Sequence, residues 1–394
     1  MNGESTGDVV RESMRPLPRP LQGVLTWLTG VPLHGQHPRW QRSPLWHLVT
    51  GLGSLWGGVA ASSLVMLYAS VVAWPLLGVS WLFTVNGARK LFVMIVHHCV
   101  HRNFSGHAAV DAWVADGLST MLHLQGDAGY RHDHVVVHHS RSLATLEDPD
   151  LRFIVQCGFA PGMPQRALWR QLGRAVVSPR VHWAFLRARL RANFVTAPWA
   201  RRWLAVAYSA VLLAVVAGTQ HWLLFGLAWV VPLGPLYHVS AILQLLSEHR
   251  WLCPQAPTDA RKLVLARLTT GRFAGEMAPA WGVHSLRELV VWSRWVVRML
   301  CVHLPARLFV LVGDLPQHDY HHRHAVQNDW CHAAYGRQRD LEAGCPGWPE
   351  PYTACWGLRE AIAANFALFS ALAPLAAAPP PLSTRELEEV LQAM

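Results

Sequence analysis

Histidine is concentrated in three short clusters of this chain. The first cluster reads HHCVH (97–101), the second HDHVVVHH (132–139) and the third HDYHH (318–322). Residues three or four positions apart lie on one face of a helix, so each cluster can direct two or three imidazoles towards one pocket. A lone histidine, His249, lies between the second and third clusters. Imidazoles grouped in this way indicate a metal site.

The number of these imidazoles indicates more than one metal ion. The clusters and His249 offer about nine nitrogen ligands, whereas a single zinc ion takes about four. A redox metal that activates dioxygen needs several neutral nitrogen ligands and an open position. The chain contains neither the Glu-x-x-His pair of carboxylate di-iron bundles nor the His-Glu-x-x-His motif of zinc proteases. These residues predict a His-ligated site for two metals.

Long apolar stretches must position the clusters. The sequence is 52% hydrophobic and 15% charged, against about 25% charged in a soluble domain. A helix needs roughly 20 apolar residues to cross a bilayer, and we predict four such helices, at 48–72, 79–96, 203–217 and 222–246. We therefore expect an all-α integral membrane protein with four transmembrane helices in two hairpins. A cytosolic or interfacial helical cap would hold the two metals.

A fifth apolar stretch, 289–312, is interrupted by Arg294, Arg298, Pro305 and Arg307. Charged side chains at that spacing cost several kcal/mol each at the bilayer centre. We predict one or two amphipathic helices lying in the membrane interface. A buried cytosolic helix is the alternative.

The distribution of basic residues predicts the orientation. The net charge is +10, and Arg residues flank the apolar stretches, but the connections within the two hairpins, 74–80 and 218–221, contain no Lys or Arg. Basic segments stay on the cytoplasmic side. Both termini and all the His clusters are therefore expected in the cytoplasm, with the chain in a bacterial inner membrane. The arginines suit anionic lipid headgroups, and we expect no nucleic-acid partner.

Three regions follow from this organisation. Residues 1–44 are polar and contain prolines, and we predict a disordered segment there. Residues 45–335 form the membrane-embedded catalytic domain. Residues 336–394 form a C-terminal cytosolic tail.

Taken in order, the clusters H-x-x-x-H, H-x-x-x-H-H and H-x-x-H-H resemble the three His boxes of the membrane fatty acid desaturase and hydroxylase superfamily. Their positions relative to the predicted helices are similar as well. The sequence EDPD (147–150) resembles the Asp-Pro-Asp of acyl desaturases, and Glu248-His249 resembles the pair that supplies an extra His ligand. The resemblance covers roughly residues 45–335.

This resemblance implies two ferrous irons, dioxygen as co-substrate and a separate electron donor of the ferredoxin or cytochrome type. The implied metal ligands are His97, His101, His134, His138, His139, His249, His318, His321 and His322. His98, His132 and His324 would lie on the surface or support the ligands. A metal-bound imidazole usually donates its other N–H to a carboxylate or carbonyl. The candidate carboxylates are Asp133, Glu147, Asp148, Asp150, Asp314 and Asp319.

The function that the resemblance implies is a desaturase that introduces a double bond into a fatty-acyl or lipid-like substrate. A di-iron hydroxylase of the alkane or acyl monooxygenase type is the alternative within the same superfamily. A membrane transporter or a non-enzymatic metal-binding scaffold is the alternative of another class. Transporters place ionisable groups near the membrane midplane, whereas these His clusters lie at or beyond helix ends, which argues against transport.

Overall fold

Helices make up most of the chain, as the long apolar stretches predict. The computed structural model describes residues 6–373 except 141, 255, 257 and 283. Two three-residue strands, β1 (Gly271–Phe273) and β2 (Ala354–Trp356), form one parallel pair with Gly271 opposite Ala354. The expected all-α architecture is therefore interrupted by this single short ladder among the described residues.

Two units divide the fold. The hairpin unit contains Pro44–Leu245 and the chain from Phe366 onwards, and the strand unit contains the chain up to Ser43 together with Leu246–Asn365. Each unit is thus assembled from segments that are distant in the sequence.

Within the described residues, five helices are long and apolar enough to cross a membrane. They are Pro44–Tyr68 (span 1), Leu76–Val100 (span 2), Trp199–Thr219 (span 3), Trp222–Glu248 (span 4) and Leu286–Phe309 (span 5). The first four correspond to the four predicted stretches. Span 5 is the stretch that the sequence placed in the interface, so the structure has one more candidate span than predicted.

Span 5 is continuous despite its charges and its proline. A π-helical turn, Met299–His303, precedes Pro305, and such a turn absorbs the backbone bond that proline cannot make. The guanidinium of Arg298 is paired with Glu276 at 2.7 Å. These two features explain why a sequence that reads as interrupted folds as one helix.

Spans 1 and 2 pack closely through small residues. A Cβ atom added at Gly58 would overlap the backbone of Thr84, and one at Gly87 would overlap the backbone of Leu55. Small residues allow two helix backbones to approach within a membrane. This hairpin therefore holds the end of span 2, from which the first His cluster extends.

Between spans 2 and 3 the hairpin unit contains a series of shorter helices. They are Ala108–Leu122, Asp127–Tyr130 with the π-helical turn Arg131–His138, Pro149–Gln156, Gln165–Val177 and Pro179–Phe194. Two of them begin at side-chain caps, Asp148 and Ser178. The second His cluster lies on one of these short helices, where a polar central segment was predicted.

The strand unit is built from short helices around span 5 and the β1–β2 pair. Its helices are Thr6–Glu12, Arg19–Thr29, Arg261–Leu268, His318–Arg323 and Ala333–Glu342, with a 3₁₀ turn at Asn328–His332. The last described helix, Leu358–Ala371, contains the boundary between the two units.

The N-terminal segment differs from the predicted disorder over 1–44. Thr6–Glu12 and Arg19–Thr29 are helices, and Arg11 is fully buried, where it donates to Val31 O at 2.9 Å and Gln22 Oε1 at 2.9 Å. An apolar cluster lies beside it, formed by Met14, Leu25, Leu28, Trp295 and Met299. Arg11, one of the polar side chains that suggested disorder, is thus buried and bonded within the segment. Residues 1–5 lie outside the described residues.

The predicted C-terminal tail, 336–394, also differs in its described part. β2 lies within it and pairs with β1, and Gly162 N–H donates to Phe369 O at 2.8 Å. Residues up to 373 therefore belong to the folded units. Residues 374–394 lie outside the described part of the chain.

Candidate metal centre

Four of the predicted ligands converge in the hairpin unit. His97 and His101 extend from the end of span 2, and His134 and His139 lie on and just after the π-helical turn Arg131–His138. One ring nitrogen from each of the four lies within 4.8 Å of those of the others. The Nε2 atom of His134 is 3.0 Å from Nε2 of His97 and 3.1 Å from Nε2 of His139.

These four imidazoles are buried and oriented by the backbone. None is more than 8% exposed, and Nδ1 of His97 is 3.1 Å from Val93 O. That contact leaves Nε2 of His97 directed at the group. Burial, together with the neighbouring imidazoles, lowers the pKa of His101 well below its usual range. A neutral imidazole is the form that binds a metal, so the environment favours ligation at neutral pH.

His138 has a different set of neighbours. Its Nδ1 atom is 3.1 Å from Asp148 Oδ2 and 3.4 Å from Asp150 Oδ2. Asp148 is fully buried and also accepts N–H bonds from Ala144 and Asp150, both at 3.0 Å. A carboxylate on Nδ1 fixes the tautomer and leaves Nε2 as the ligand atom. This contact gives the Asp-Pro-Asp sequence a physical role.

Three more predicted ligands converge in the strand unit. Nε2 of His318 is 3.3 Å from Nε2 of His249 and 3.0 Å from Nε2 of His322. All three residues are at most 4% exposed. His321 is buried on the same short helix, with its ring centroid 5.8 Å from that of His318. His318 and His322 of the third cluster therefore form one group with the lone histidine, His249.

His249 is held by its surroundings in the strand unit. Directly after span 4, it forms an isolated antiparallel β-bridge with Thr269. Its ring packs against that of Trp251, with the two ring centroids 5.0 Å apart. Trp251 is fully buried, and its backbone N–H donates to Asn365 Oδ1 at 3.1 Å. These contacts fix the residue that the sequence marked only by its position after Glu248.

Glu248 is a site residue that the sequence did not predict. Its Oε1 atom lies 3.4 Å from Nε2 of His318 and 3.7 Å from Nη2 of Arg272, which is buried on β1. The Glu-His pair was recognised for its histidine alone. A charged residue at the end of an apolar span was the available signal, since such a position requires a partner.

The remaining polar residues of the clusters lie elsewhere. Asp319 pairs with Arg337 at 2.8 Å, Asp133 accepts from Gln125 at 2.6 Å, and Glu147 accepts from Ser142 at 2.8 Å. Of the surplus histidines, His98 is buried against His97, whereas His132 and His324 pair with Asp133 and Asp340. Only spatial contact distinguishes these residues from Asp148 and from the grouped imidazoles.

The arrangement suits a metal that prefers nitrogen ligands. Each group brings several imidazole lone pairs together in a buried place, and imidazole is a common ligand of iron, copper and zinc. Asp148 and Glu248 add carboxylate oxygens beside the imidazoles. Unlike a carboxylate-rich magnesium site, this donor set fits a transition metal such as iron, copper or zinc.

The sequence model described as fatty acid desaturase matches residues 73–304. The match contains the first two His clusters and His249, and it ends before the third cluster. No curated protein and no solved structure matches the chain. The family match covers more than half of the chain and agrees with the resemblance seen in the sequence, so this chain belongs to the fatty acid desaturase family.

Proposed function

We propose that this protein is a dioxygen-dependent di-iron desaturase that introduces a double bond into a fatty-acyl or lipid-like substrate. Family membership already implies an oxidoreductase in a lipid environment. The proposal of desaturation in particular rests on the contact between Asp148 Oδ2 and His138 Nδ1 at 3.1 Å. It gives a structural role to the Asp-Pro-Asp sequence, which resembles that of acyl desaturases rather than hydroxylases.

The proposed ligands of the two ferrous ions are the nine predicted imidazoles. They are His97, His101, His134, His138, His139, His249, His318, His321 and His322. Support comes from their burial and from the convergence of four of them in the hairpin unit and three in the strand unit. Bound iron would supply the dioxygen chemistry that removes two hydrogen atoms from an unactivated C–H pair.

The side chains of the protein position and shield this chemistry. Asp148 accepts the N–H of His138 and so keeps the opposite ring nitrogen unprotonated. Glu248 places a second carboxylate beside His318. Burial of the imidazoles excludes water, which protects a reactive oxidant from side reactions.

Four membrane crossings fit this proposal better than five. If only spans 3 and 4 cross the membrane between the second and third His clusters, the chain returns to its starting side and both clusters face the same compartment. A fifth crossing by Leu286–Phe309 would place His318 on the opposite side of the membrane from His134. We therefore propose that span 5 lies in the interface, where the ion pair of Arg298 with Glu276 and the indole of Trp292 can meet headgroups and water.

The proposed environment is the bacterial inner membrane, with the His clusters and both termini in the cytoplasm. Desaturation takes two hydrogen atoms from the substrate and two electrons and two protons from elsewhere, so that dioxygen leaves as two water molecules. A separate ferredoxin-like or cytochrome-type donor would supply those electrons. The basic residues of the cytoplasmic face, such as Arg180, Arg187 and Arg191, suit an acidic donor.

A di-iron hydroxylase is the second candidate function. The contact of Glu248 with His318 at 3.4 Å favours it, because the Glu-His pair after span 4, together with nine histidines, also resembles the alkane hydroxylases. The transporter and scaffold alternatives lose support because family membership implies an oxidoreductase.

The test is expression of the full chain in a bacterial host that also supplies a ferredoxin and its reductase, followed by mass spectrometry of lipids and free acids. A product lighter by two hydrogen atoms is expected, and one heavier by an oxygen atom would instead establish the hydroxylase. His138→Ala should abolish the product. His132→Ala is the matched control, because His132 is exposed and pairs only with Asp133 among the described residues. Absence of any new product from the wild type would contradict both functions.

A further inference from the structure

Span 2 carries a buried arginine that the proposed chemistry does not use. Arg89 is 3% exposed, and its Nε and Nη2 atoms have no hydrogen-bond partner within the described residues. The hydroxyl of Tyr237, on span 4, is buried and equally without a partner there. Burying such donors unsatisfied costs free energy, most of all for a charged group inside a membrane. Both groups therefore require a hydrogen-bond acceptor.

These two residues form part of a cationic cluster in the hairpin unit. The Cζ atom of Arg89 is 5.0 Å from the centroid of the Tyr237 ring, and that of Arg189 is 5.3 Å from it. The two guanidinium groups are thus no more than about 10 Å apart, with an aromatic ring beside both. Two positive charges, one buried on Arg89 and one partly buried on Arg189, therefore lie close together.

No acidic side chain neutralises the cluster in the part of the chain that the structure describes. Arg189 donates to the carbonyls of His123 at 3.2 Å and Leu233 at 2.6 Å, and its Nη1 lies 3.2 Å from His238 Nε2. Backbone oxygens satisfy its donors but not its charge. Burial lowers the pKa of Arg189 to about 10, so it remains protonated at neutral pH. The cluster has a net positive charge that favours an anion.

The arginine and the metal site lie on the same side of span 2. Arg89 precedes His97 by eight residues, and the π-helical turn Leu91–Val96 lies between them. A π-helical turn inserts about one extra residue, so the two positions are separated by roughly seven ordinary steps of about 100° each. That rotation returns to within roughly 20° of its start. Both residues are buried, and seven steps of about 1.5 Å each separate them by roughly 10 Å along the helix axis.

We propose that Arg89 and Tyr237, with the charge of Arg189, bind the free carboxylate of an amphipathic acid that is the substrate. Arg89 and the Tyr237 hydroxyl donate hydrogen bonds to the carboxylate, and the hydrocarbon chain extends along span 2 towards His97. The reacting carbon is then remote from the carboxylate. An ester of the same acid offers no negative charge to this subsite. The substrate assignment rests on the proposed function, but the binding itself requires neither iron nor dioxygen.

The test compares binding of two probes that differ only in charge. Radiolabelled dodecanoate and its methyl ester are titrated against the purified full-length protein in lipid nanodiscs, with binding followed by a scintillation proximity assay. The wild type should bind dodecanoate at least about tenfold more tightly, a difference of about 1.4 kcal/mol that one charge-assisted hydrogen bond can supply. Equal affinity for the acid and the ester would overturn the proposal.

Substitutions locate the effect. Arg89→Met should remove the preference for the acid, and Arg89→Lys should restore part of it. Lys90→Met is the matched control, because Lys90 is the next residue and its Nζ atom bonds Thr50 Oγ1 at 2.6 Å. The control should keep the wild-type preference. A preference that survives in Arg89→Met would show that the arginine has only a packing role, and the proposal would fail.

Tyr237→Phe provides an independent measurement if Arg89→Met does not fold. It removes only the hydroxyl and keeps the ring against both arginines. Affinity for dodecanoate should fall severalfold, while affinity for the ester stays the same. Unchanged affinity for the acid in this variant would count against the subsite.

If the acid binds as expected but no oxidised product forms, the proposed function fails while the subsite stands. If the ester is oxidised as readily as the acid, the subsite fails while the function stands.

Discussion

Asp148 shows how one side chain serves both local folding and the site. It caps the helix Pro149–Gln156 by accepting from Asp150 N–H, with proline in the first turn. The same carboxylate accepts from His138 Nδ1. Six acidic residues near the clusters were candidates for such a contact, and sequence alone ranked none of them. Choosing Asp148 required the folded positions of both partners.

Asp148→Asn separates these two roles. Asparagine caps a helix about as well as aspartate, so the helix should remain folded, as circular dichroism can verify. The loss of negative charge beside His138 should weaken iron binding about 10- to 100-fold. Competition with a ferrous chelator measures this affinity.

Asp133→Asn is the control for that experiment. Asp133 lies in the same His cluster but bonds Gln125 and His132, so iron affinity should remain within about twofold of the wild type. Equal iron affinity in Asp148→Asn and the wild type would show that the carboxylate does not support a metal ligand.

At the scale of elements, π-helical turns decide where the histidines point. The four-residue spacing of His134 and His138 predicted that both would lie on one face of an ordinary helix. They lie on the π-helical turn Arg131–His138, with their ring centroids 5.1 Å apart. Even so, His134 contacts His97, whereas His138 contacts Asp148. Helical periodicity placed both residues in a helix. It could not separate their partners, because a π-helical turn shifts the phase of every later side chain.

The close packing of spans 1 and 2 gives a prediction for the membrane hairpin. Gly87→Ala adds only a Cβ atom, which would overlap the backbone of Leu55. Overpacking of this kind typically costs about 1–3 kcal/mol. Unfolding in mixed micelles with increasing dodecyl sulfate measures the loss of stability.

Gly57→Ala on span 1 is the matched substitution, because a Cβ there meets nothing within 4 Å. It should be neutral or slightly stabilising, since alanine favours a helix over glycine by up to about 1 kcal/mol. If both variants unfold at the same dodecyl sulfate fraction, the backbones of the two helices are not in the close contact described.

For the whole molecule, the number of crossings decides whether all His clusters meet one compartment. Length and composition admit five spans, but only an even number of crossings between the second and third clusters keeps them together. The distribution of basic residues predicts that the connection between spans 1 and 2 faces the periplasm. Val72 lies in that connection and Val326 lies after the third cluster, so the two residues should face opposite sides of the membrane.

Cysteine labelling tests this topology. Val72 and Val326 are 84% and 81% exposed, so cysteine at either position should be reachable by a membrane-impermeant maleimide on its own side. In bacterial spheroplasts we expect Val72→Cys to be labelled, and Val326→Cys to be labelled only after permeabilisation. The wild type measures the background from native cysteines such as Cys301. Labelling of Val326→Cys in intact spheroplasts would mean that span 5 crosses the membrane, and the cytoplasmic placement of the third cluster would be wrong.

Apolar length and histidine spacing were sufficient to determine the family, the helical architecture and four of the candidate spans. Both signals are local, because a bilayer requires about 20 apolar residues in a row and a helix repeats every few residues. Contacts between distant segments carry no such signal. The folding of residues 6–29 around Arg11, the continuity of span 5, the contact of Glu248 with His318 and the cluster of Arg89 with Tyr237 are all of this kind. Only the tertiary structure decided them, because each depends on which distant segments the fold brings into contact.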